Sequence, residues 1–199
     1  MRHRTQPAPL AVRSSRLLLV GFLAACGSDG AKPPATPTAP VTSPSSLEIY
    51  FPLEEGKIYH YHTREGSETG MLVAKVHRSS PSLGELRMSN ATKRFAYTPE
   101  GIRYVDGAWI LKAPAEVGNA WPGEHGGTTT IVATDVSVDV PAGRYTSCLR
   151  TVEEGGRPPG SRYEHTYCPG VGMVLLVVTV PGAEARAELV SYGMPVKIE

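Results

Sequence analysis

No apolar run in this 199-residue chain approaches the ~20 residues that a helix needs to cross a bilayer. The run near the N-terminus, Leu17 to Ala25, is nine residues long, too short for a retained spanning anchor. An excess of one charge sign is missing as well: 20 Lys plus Arg stand against 19 Asp plus Glu. That balance leaves no basic stripe for a phosphate backbone, which argues against nucleic acid as a partner. Cysteine is scarce, at three residues, and no pair has the Cys-x-x-Cys spacing of a redox or zinc motif. No window sustains a three-to-four-residue apolar period, so helical bundles and coiled coils are excluded. Phosphate-cradling loops, dinucleotide fingerprints and a Gly-x-Ser-x-Gly nucleophile turn are also absent. What is plentiful is glycine and proline, 21 and 18 residues, which punctuate the chain into short segments.

The first sixteen residues carry Arg2, Arg4, Arg13 and Arg16 and no acid, and the apolar run follows them directly, which is the layout of a signal peptide. The segment Leu23-Ala-Ala-Cys26 resembles the lipobox of bacterial lipoproteins. That resemblance implies cleavage after residue 25, acylation of Cys26 and a lipid bilayer as a partner of the mature chain. At ~0.8 kcal/mol per buried methylene, two or three acyl chains hold a protein firmly without a spanning helix. Loss of residues 1 to 25, with four Arg and no acid, leaves 16 basic against 19 acidic residues. Gly27, rather than Asp, follows the cysteine, which by the same resemblance favours the outer membrane. Residues 26 to 46 are rich in Pro, Thr and Ser and hold almost no large apolar side chain. Such chain cannot offset its ordering entropy, and at ~3.1 Å per residue it makes a tether of up to roughly 60 Å. Residues 47 to 199 are expected to form one domain.

From Leu47 onward the apolar residues alternate with a period of two between Gly, Pro, Asn and Asp. This predicts strands near 57–64, 71–78, 84–89, 93–98, 101–105, 108–112, 128–140 (with a break at Asp135), 143–153, 162–168, 172–180 and 184–193. The fold class is therefore all-β with little helix: a strongly curved antiparallel sheet, sandwich or half-barrel of about ten strands. Val136, Val138 and Val140 share one strand face, and the charges of Glu184, Arg186 and Glu188 share another, so one side of the sheet is wet. The stretch from Gly172 to Val180 departs from alternation, being apolar from Met173 to Val178. It is either covered on both faces by other elements, or one face, with Met173, Leu175 and Val177, lines a cavity for an apolar ligand.

Cys148 and Cys168 are spaced evenly about Pro158 in turn-forming chain. A hairpin with its tip there sets them opposite each other, at the cross-strand separation a disulfide needs, and export supplies the oxidising surroundings. A second regularity is an internal repeat: Pro52-Leu-Glu-Glu-Gly-Lys-Ile-Tyr59 and Pro114-Ala-Glu-Val-Gly-Asn-Ala-Trp121 share the order Pro, x, Glu, x, Gly, x, x, aromatic. Each reads as a turn with a left-handed glycine that delivers an aromatic into a strand.

Several short motifs carry a wider resemblance: Tyr50-Phe-Pro-Leu-Glu-Glu-Gly56, the Pro114 to Trp121 turn, Val140-Pro-Ala-Gly-Arg-Tyr145, Tyr167-Cys-Pro-Gly-Val-Gly172 and Glu188-Leu-Val-Ser-Tyr192. In this order they resemble a family of uncharacterised bacterial exported lipoproteins. More distantly the chain is similar to carriers and receptors of the LolA/LolB type, whose curved antiparallel sheet encloses an apolar ligand space. It departs from them in lacking amphipathic helices to plug such a half-barrel.

Chemistry is thinly marked. His60 and His62 share a strand face, a spacing that can hold a metal if His77 or His165 approaches, but no third ligand is fixed and no metal or cofactor is expected. His125-Gly-Gly127 resembles an esterase oxyanion loop without its nucleophile, and reads as a plain loop before the strand at Thr128. The acidic pairs Glu54-Glu55, Glu153-Glu154 and Glu184/Glu188 fall in turns or on wet faces, where they serve solubility. The expectation is a non-catalytic envelope lipoprotein whose β domain is an interaction or structural module for envelope proteins; the alternative is a carrier or sensor of a small apolar ligand.

Overall fold

The structure is a computed structural model and describes residues 46–196. Cys26, the expected signal peptide and nearly all of the tether lie outside the described residues. After a single 3-10 turn, Glu48–Tyr50, the chain forms twelve strands. They are β1 Ile58–Glu65, β2 Glu68–Ser80, β3 Leu83–Arg87, β4 Thr92–Thr98, β5 Gly101–Tyr104, β6 Trp109–Lys112, β7 Ala120–Pro122, β8 Thr128–Val140, β9 Gly143–Glu154, β10 Arg162–Cys168, β11 Gly172–Val180 and β12 Ala183–Gly193. The all-β expectation is met, and eleven of the strands lie where the alternation placed them. The twelfth, β7, has three residues and ends in Pro122, too short for a period to show.

All twelve belong to one antiparallel sheet, in the order β6-β5-β4-β3-β2-β1-β12-β11-β10-β9-β8-β7. Every neighbour is a sequence neighbour except β1 and β12, so the first and last strands pair and curl the meander into a nearly closed barrel. Its seam lies in mid-chain, between β6 and β7, and is bridged by side chains instead of a ladder. Trp121 Nε1 donates to the Trp109 carbonyl at 3.1 Å, and Asn119 Nδ2 donates to the carbonyls of Lys112 at 2.8 Å and Pro114 at 2.7 Å. The internal repeat gains a structural meaning here, because its two copies lead into β1 and β7, the first strands of the two half-sheets. Gly56 and Gly118 have φ of 79° and 91°, the left-handed values expected of them, and the aromatics they deliver, Tyr59 and Trp121, are both buried.

One end of the barrel is stopped by its own N-terminal segment. Leu47, Phe51 and Leu53 are buried, and Phe51 packs edge-on against Phe95 and Tyr167 at centroid distances of 5.1 and 6.1 Å. This segment does what a plugging helix would do, at the cost of one turn. Nearby, Cys148 on β9 and Cys168 on β10 form the expected disulfide, one step beyond the Leu149–Tyr167 pair of the ladder. Closing a loop of this length contributes ~3 kcal/mol in the chain-entropy view. Beyond Cys168, β9 pairs with β8 alone, and the two strands bend where Asp135 and Ser147 adopt left-handed φ of 58° and 56°. The strand expected to break at Asp135 is continuous but bulged. Ser147 Oγ donates to Asp135 Oδ1 at 3.1 Å across the bend, and Ala142 N at the hairpin tip donates to the Leu189 carbonyl of β12 at 2.9 Å.

The register of β11 corrects one expectation. Thr166 of β10 faces Leu175 while Tyr167 faces Met173, so Val174 is an extra residue and the strand is bulged there. A bulge reverses the parity of everything beyond it. Met173, Leu176 and Val178 therefore point into the barrel, whereas Leu175 and Val177 turn outward beside their partners Glu188 and Arg186. Around them the outer face is laced with ion pairs: Arg150 to Glu164 at 3.4 Å, Arg162 to Glu164 at 3.0 Å and to Glu154, and Arg186 to Glu188 at 2.9 Å.

Candidate functional site

Away from the stopped end the barrel is hollow. A cavity of about 290 Å³ lies inside the sheet, close to the lower bound of ~300 Å³ usual for small-molecule sites. It adjoins a wider, more open space at the barrel mouth, between the β1–β2 and β11–β12 turns, with which it shares Leu72, Leu176 and Val178. Seven of the chain's fourteen aromatic residues line the cavity: Phe51, Tyr61, Phe95, Tyr104, Trp109, Tyr163 and Tyr167. Leu72, Leu86, Ile110, Met88 and Met173 complete a predominantly apolar wall. Tyr61, deep in this wall, has its hydroxyl committed elsewhere, donating to the Met173 carbonyl at 2.9 Å. Burial raises the Tyr61 and Tyr167 phenols far above their ordinary range.

One part of the wall is polar, and it is assembled from distant segments. Glu153, the inward residue of the strand set Leu149, Thr151, Glu153, is 3% exposed. The expectation that it lies on a wet turn is overturned: strand alternation carries on to the end of β9, and Glu154 alone faces outward. The Glu153 carboxylate folds the loop 123–127 into the barrel. Oε1 accepts from the backbone N–H of His125 at 2.7 Å and of Gly127 at 3.0 Å, and Oε2 lies 3.0 Å from His125 Nδ1. A Cβ at Gly123 would collide with the same carboxylate, so the loop needs glycine to pass this close. The His125 ring then stacks flat on Tyr163, with centroids 3.5 Å apart. The loop that read as featureless is thus one wall of the cavity.

The next residue, Glu124, reaches across the seam. It accepts from Tyr104 Oη at 2.7 Å and Lys93 Nζ at 3.0 Å, latching the β7–β8 side to β4 and β5. Burial would raise the Glu124 carboxyl, but the bonds from Tyr104 and Lys93 and the Lys93 charge outweigh it and hold the group below its usual range. His165, on β10 opposite Thr151 and Leu176, faces the cavity with no hydrogen-bond partner among the described residues. Its ring is half-buried by area because its free side looks into the hollow. Removal from bulk water pulls its pKa down to about 4.

The other residues singled out from the sequence fall outside this site. His60 and His62 are on the outer face of β1, across from the inward Tyr59 and Tyr61, and His60 Nδ1 lies 3.1 Å from Ser191 Oγ. His77 pairs with Glu55 at 3.3 Å, and His165 is on the far side of the sheet, so neither joins them. Among the described residues no group of three His, Cys, Asp or Glu side chains is placed to hold a metal ion. Of the expected cavity residues Met173 is in the wall, and Leu176 and Val178 stand where Leu175 and Val177 were expected. The polar residues Lys93, Tyr104, Glu124, Glu153 and His165 were not singled out as a site; the one signal available was the inward parity of Glu153.

No protein-family model matches the chain, and no curated protein matches it in sequence. Among solved structures the fold is similar to that of a Bacteroides fragilis protein described as exported and of YmcC-like fold. The identity is 12% and the TM-score 0.51, over 73% of this chain and 99% of that one. A Parabacteroides distasonis protein described as a lipoprotein matches at 11% identity and a TM-score of 0.44, over 73% of this chain and 98% of the other. At such identities the likeness concerns the fold alone.

Proposed function

We propose that this protein is a lipid-anchored envelope module whose β-barrel binds a small, largely apolar ligand as a carrier or sensor, without catalysing a reaction. The observation that carries this reading is the internal cavity, walled by half of the chain's aromatic residues and adjoining the open space at the barrel mouth. Anchoring through Cys26, a tether over residues 26–46 and an outer-membrane address rest on the sequence pattern alone; the exported description of the Bacteroides fragilis neighbour supports export and nothing finer. The test is native mass spectrometry on the full chain carrying Cys26→Ser, purified without detergent and with its disulfide formed. A co-purifying mass lost in a Leu176→Trp variant, which fills the cavity, is the expected result; a bare protein that takes up no apolar probe overturns the reading.

A second reading, an interaction module for envelope proteins, draws on a different observation. Met71 and Val73, the cross-strand partners of His62 and His60, are 59% and 43% exposed on the outer face of β2. Crosslinking in intact envelopes tests it: a partner captured by the parent chain and lost on Met71→Glu plus Val73→Glu supports this reading, and unchanged capture removes it.

A further inference from the structure

The apolar wall describes one half of a ligand, and the polar part of the cavity describes the other. Glu124 and Glu153 are two carboxylates, against which Lys93 supplies the single ammonium. That ammonium is already taken, 3.0 Å from Glu124 Oε1. Glu153 is likewise engaged by the two backbone N–H groups and the imidazole of the 123–127 loop. An incoming carboxylate or phosphate would meet two fixed negative charges and no free cation, after losing its own hydration, which is unfavourable on both counts. The mouth offers no compensating field: Arg64 and Arg186 are matched there by Glu65 and Glu68, and Arg186 is bonded to Glu188 at 2.9 Å.

His165 is the exception in this network. It shares the polar wall with Glu124, His125, Glu153 and Lys93, yet it makes no hydrogen bond to any described residue. Its cross-strand neighbours are Thr151 on β9 and Leu176 on β11, one polar and one apolar, so it marks the border between the two kinds of wall. A cavity-facing imidazole left without a partner carries one donor or acceptor on each ring nitrogen for whatever fills the space.

Resting on the reading of the cavity as a ligand site, we infer that its ligand is an uncharged amphiphile. Its hydrocarbon body lies against the aromatic and aliphatic wall, its hydroxyl or carbonyl is hydrogen-bonded by His165, and carboxylates and phosphates of the same length are rejected. The rejection comes from Glu124 and Glu153, and the attachment point from His165. Selectivity and affinity are therefore separable by mutation.

A matched pair of probes tests this on the full chain carrying Cys26→Ser, with binding read by calorimetry and by fluorescence of Trp109 in the cavity wall. Decanol is expected to bind saturably at neutral pH, and decanoate about tenfold more weakly or worse. His165→Leu keeps the bulk of the ring, removes its nitrogens and lowers decanol affinity about fivefold, the loss expected for one hydrogen bond. Glu124→Gln removes one carboxylate and frees Lys93, so the affinity of decanoate relative to decanol rises severalfold, and an unchanged ratio overturns the inference; this variant carries the test even if the His165 substitution fails to fold. Decanoate binding as tightly as decanol overturns the inference and leaves the ligand site standing. Binding of neither probe, together with no co-purifying mass, overturns the ligand site itself.

Discussion

The two ends of the barrel use the same residue types to opposite effect. At the stopped end, polar atoms are retired into the backbone: Tyr59 Oη donates to the Val171 carbonyl and Tyr97 Oη to the Phe51 carbonyl, both at 2.8 Å. Around them Leu47, Leu53, Val76, Ile102 and Leu111 are buried, and the disulfide fixes β9 to β10. At the hollow end, Tyr104 gives its hydroxyl to a side chain, Glu124, and Glu153 spends its bonds on a loop. Val171 and Phe51 are themselves buried in the core, so the bonds to their carbonyls part only if the packing around them opens. Bonds among side chains and a loop can part while every ladder stays intact. The stopped end thus holds the fold together, and the closures of the hollow end are those that can part separately from it.

The largest effect that would sharpen this contrast is a pair of matched truncations. Leu53→Ala removes a buried side chain packed against Gly84 at the stopped end and is expected to cost ~3 kcal/mol or more. Leu72→Ala, at the cavity mouth, exchanges a half-buried side chain for space that is already open, and is expected to cost about 1 kcal/mol. Chemical denaturation with the disulfide intact measures both. Equal losses would mean that the hollow end contributes as much packing as the other, and the distinction drawn between them would fail.

A smaller effect follows from His165. Burial first, and the His125 and Lys93 charges after it, lower its pKa from 6.5 to about 4, with Glu124 and Glu153 pulling the other way. The unfolded chain therefore binds this proton more readily than the folded one, so acid favours unfolding. The stability it protects is complete above 6.5 and lost as pH falls towards 4. The size is on the order of 2 kcal/mol once water in the open cavity is allowed for. Glu124, held below its usual range, adds a further loss only at the acid end of that window. In His165→Leu the denaturation midpoint should change less between these pH values than in the parent chain; an equal change would show that other groups carry the acid sensitivity.

These contrasts explain how far the residues alone disclose the molecule. Strands such as β8 and β12 are legible because one face is wet: Val138 and Val140 are buried between exposed Ser137 and Asp139, and the period appears in the chain itself. The disulfide is legible because a hairpin centred near Pro158 needs only equal arm lengths. The cavity wall is not, for two physical reasons. The extra residue at Val174 changes parity without changing composition, so an apolar strand reads identically with either face inward. The polar set, Lys93, Tyr104, Glu124, Glu153 and His165, comes from β4, β5, the 123–127 loop, β9 and β10, and only closure of a twelve-stranded meander brings it together.

The smallest expected effect bears most directly on the comparison. Lys93 and Glu124 have side chains 44% and 38% exposed, so their ion pair is worth at most ~1 kcal/mol, and Glu124→Gln should barely move the unfolding midpoint. Yet Glu124 is the side chain through which the loop 123–127 holds Tyr104 and Lys93 across the seam. If that latch resists opening at the hollow end, its loss should raise amide exchange at residues 123–127 and along β6, while exchange in β1 and β12 stays at the parent rate. Uniform acceleration throughout the barrel would mean that the seam opens only by global unfolding, and the hollow end would have no independent motion. Acceleration confined to the seam would place the weakest closure of the barrel beside the polar wall of the cavity, where a ligand's polar group would be bound and released.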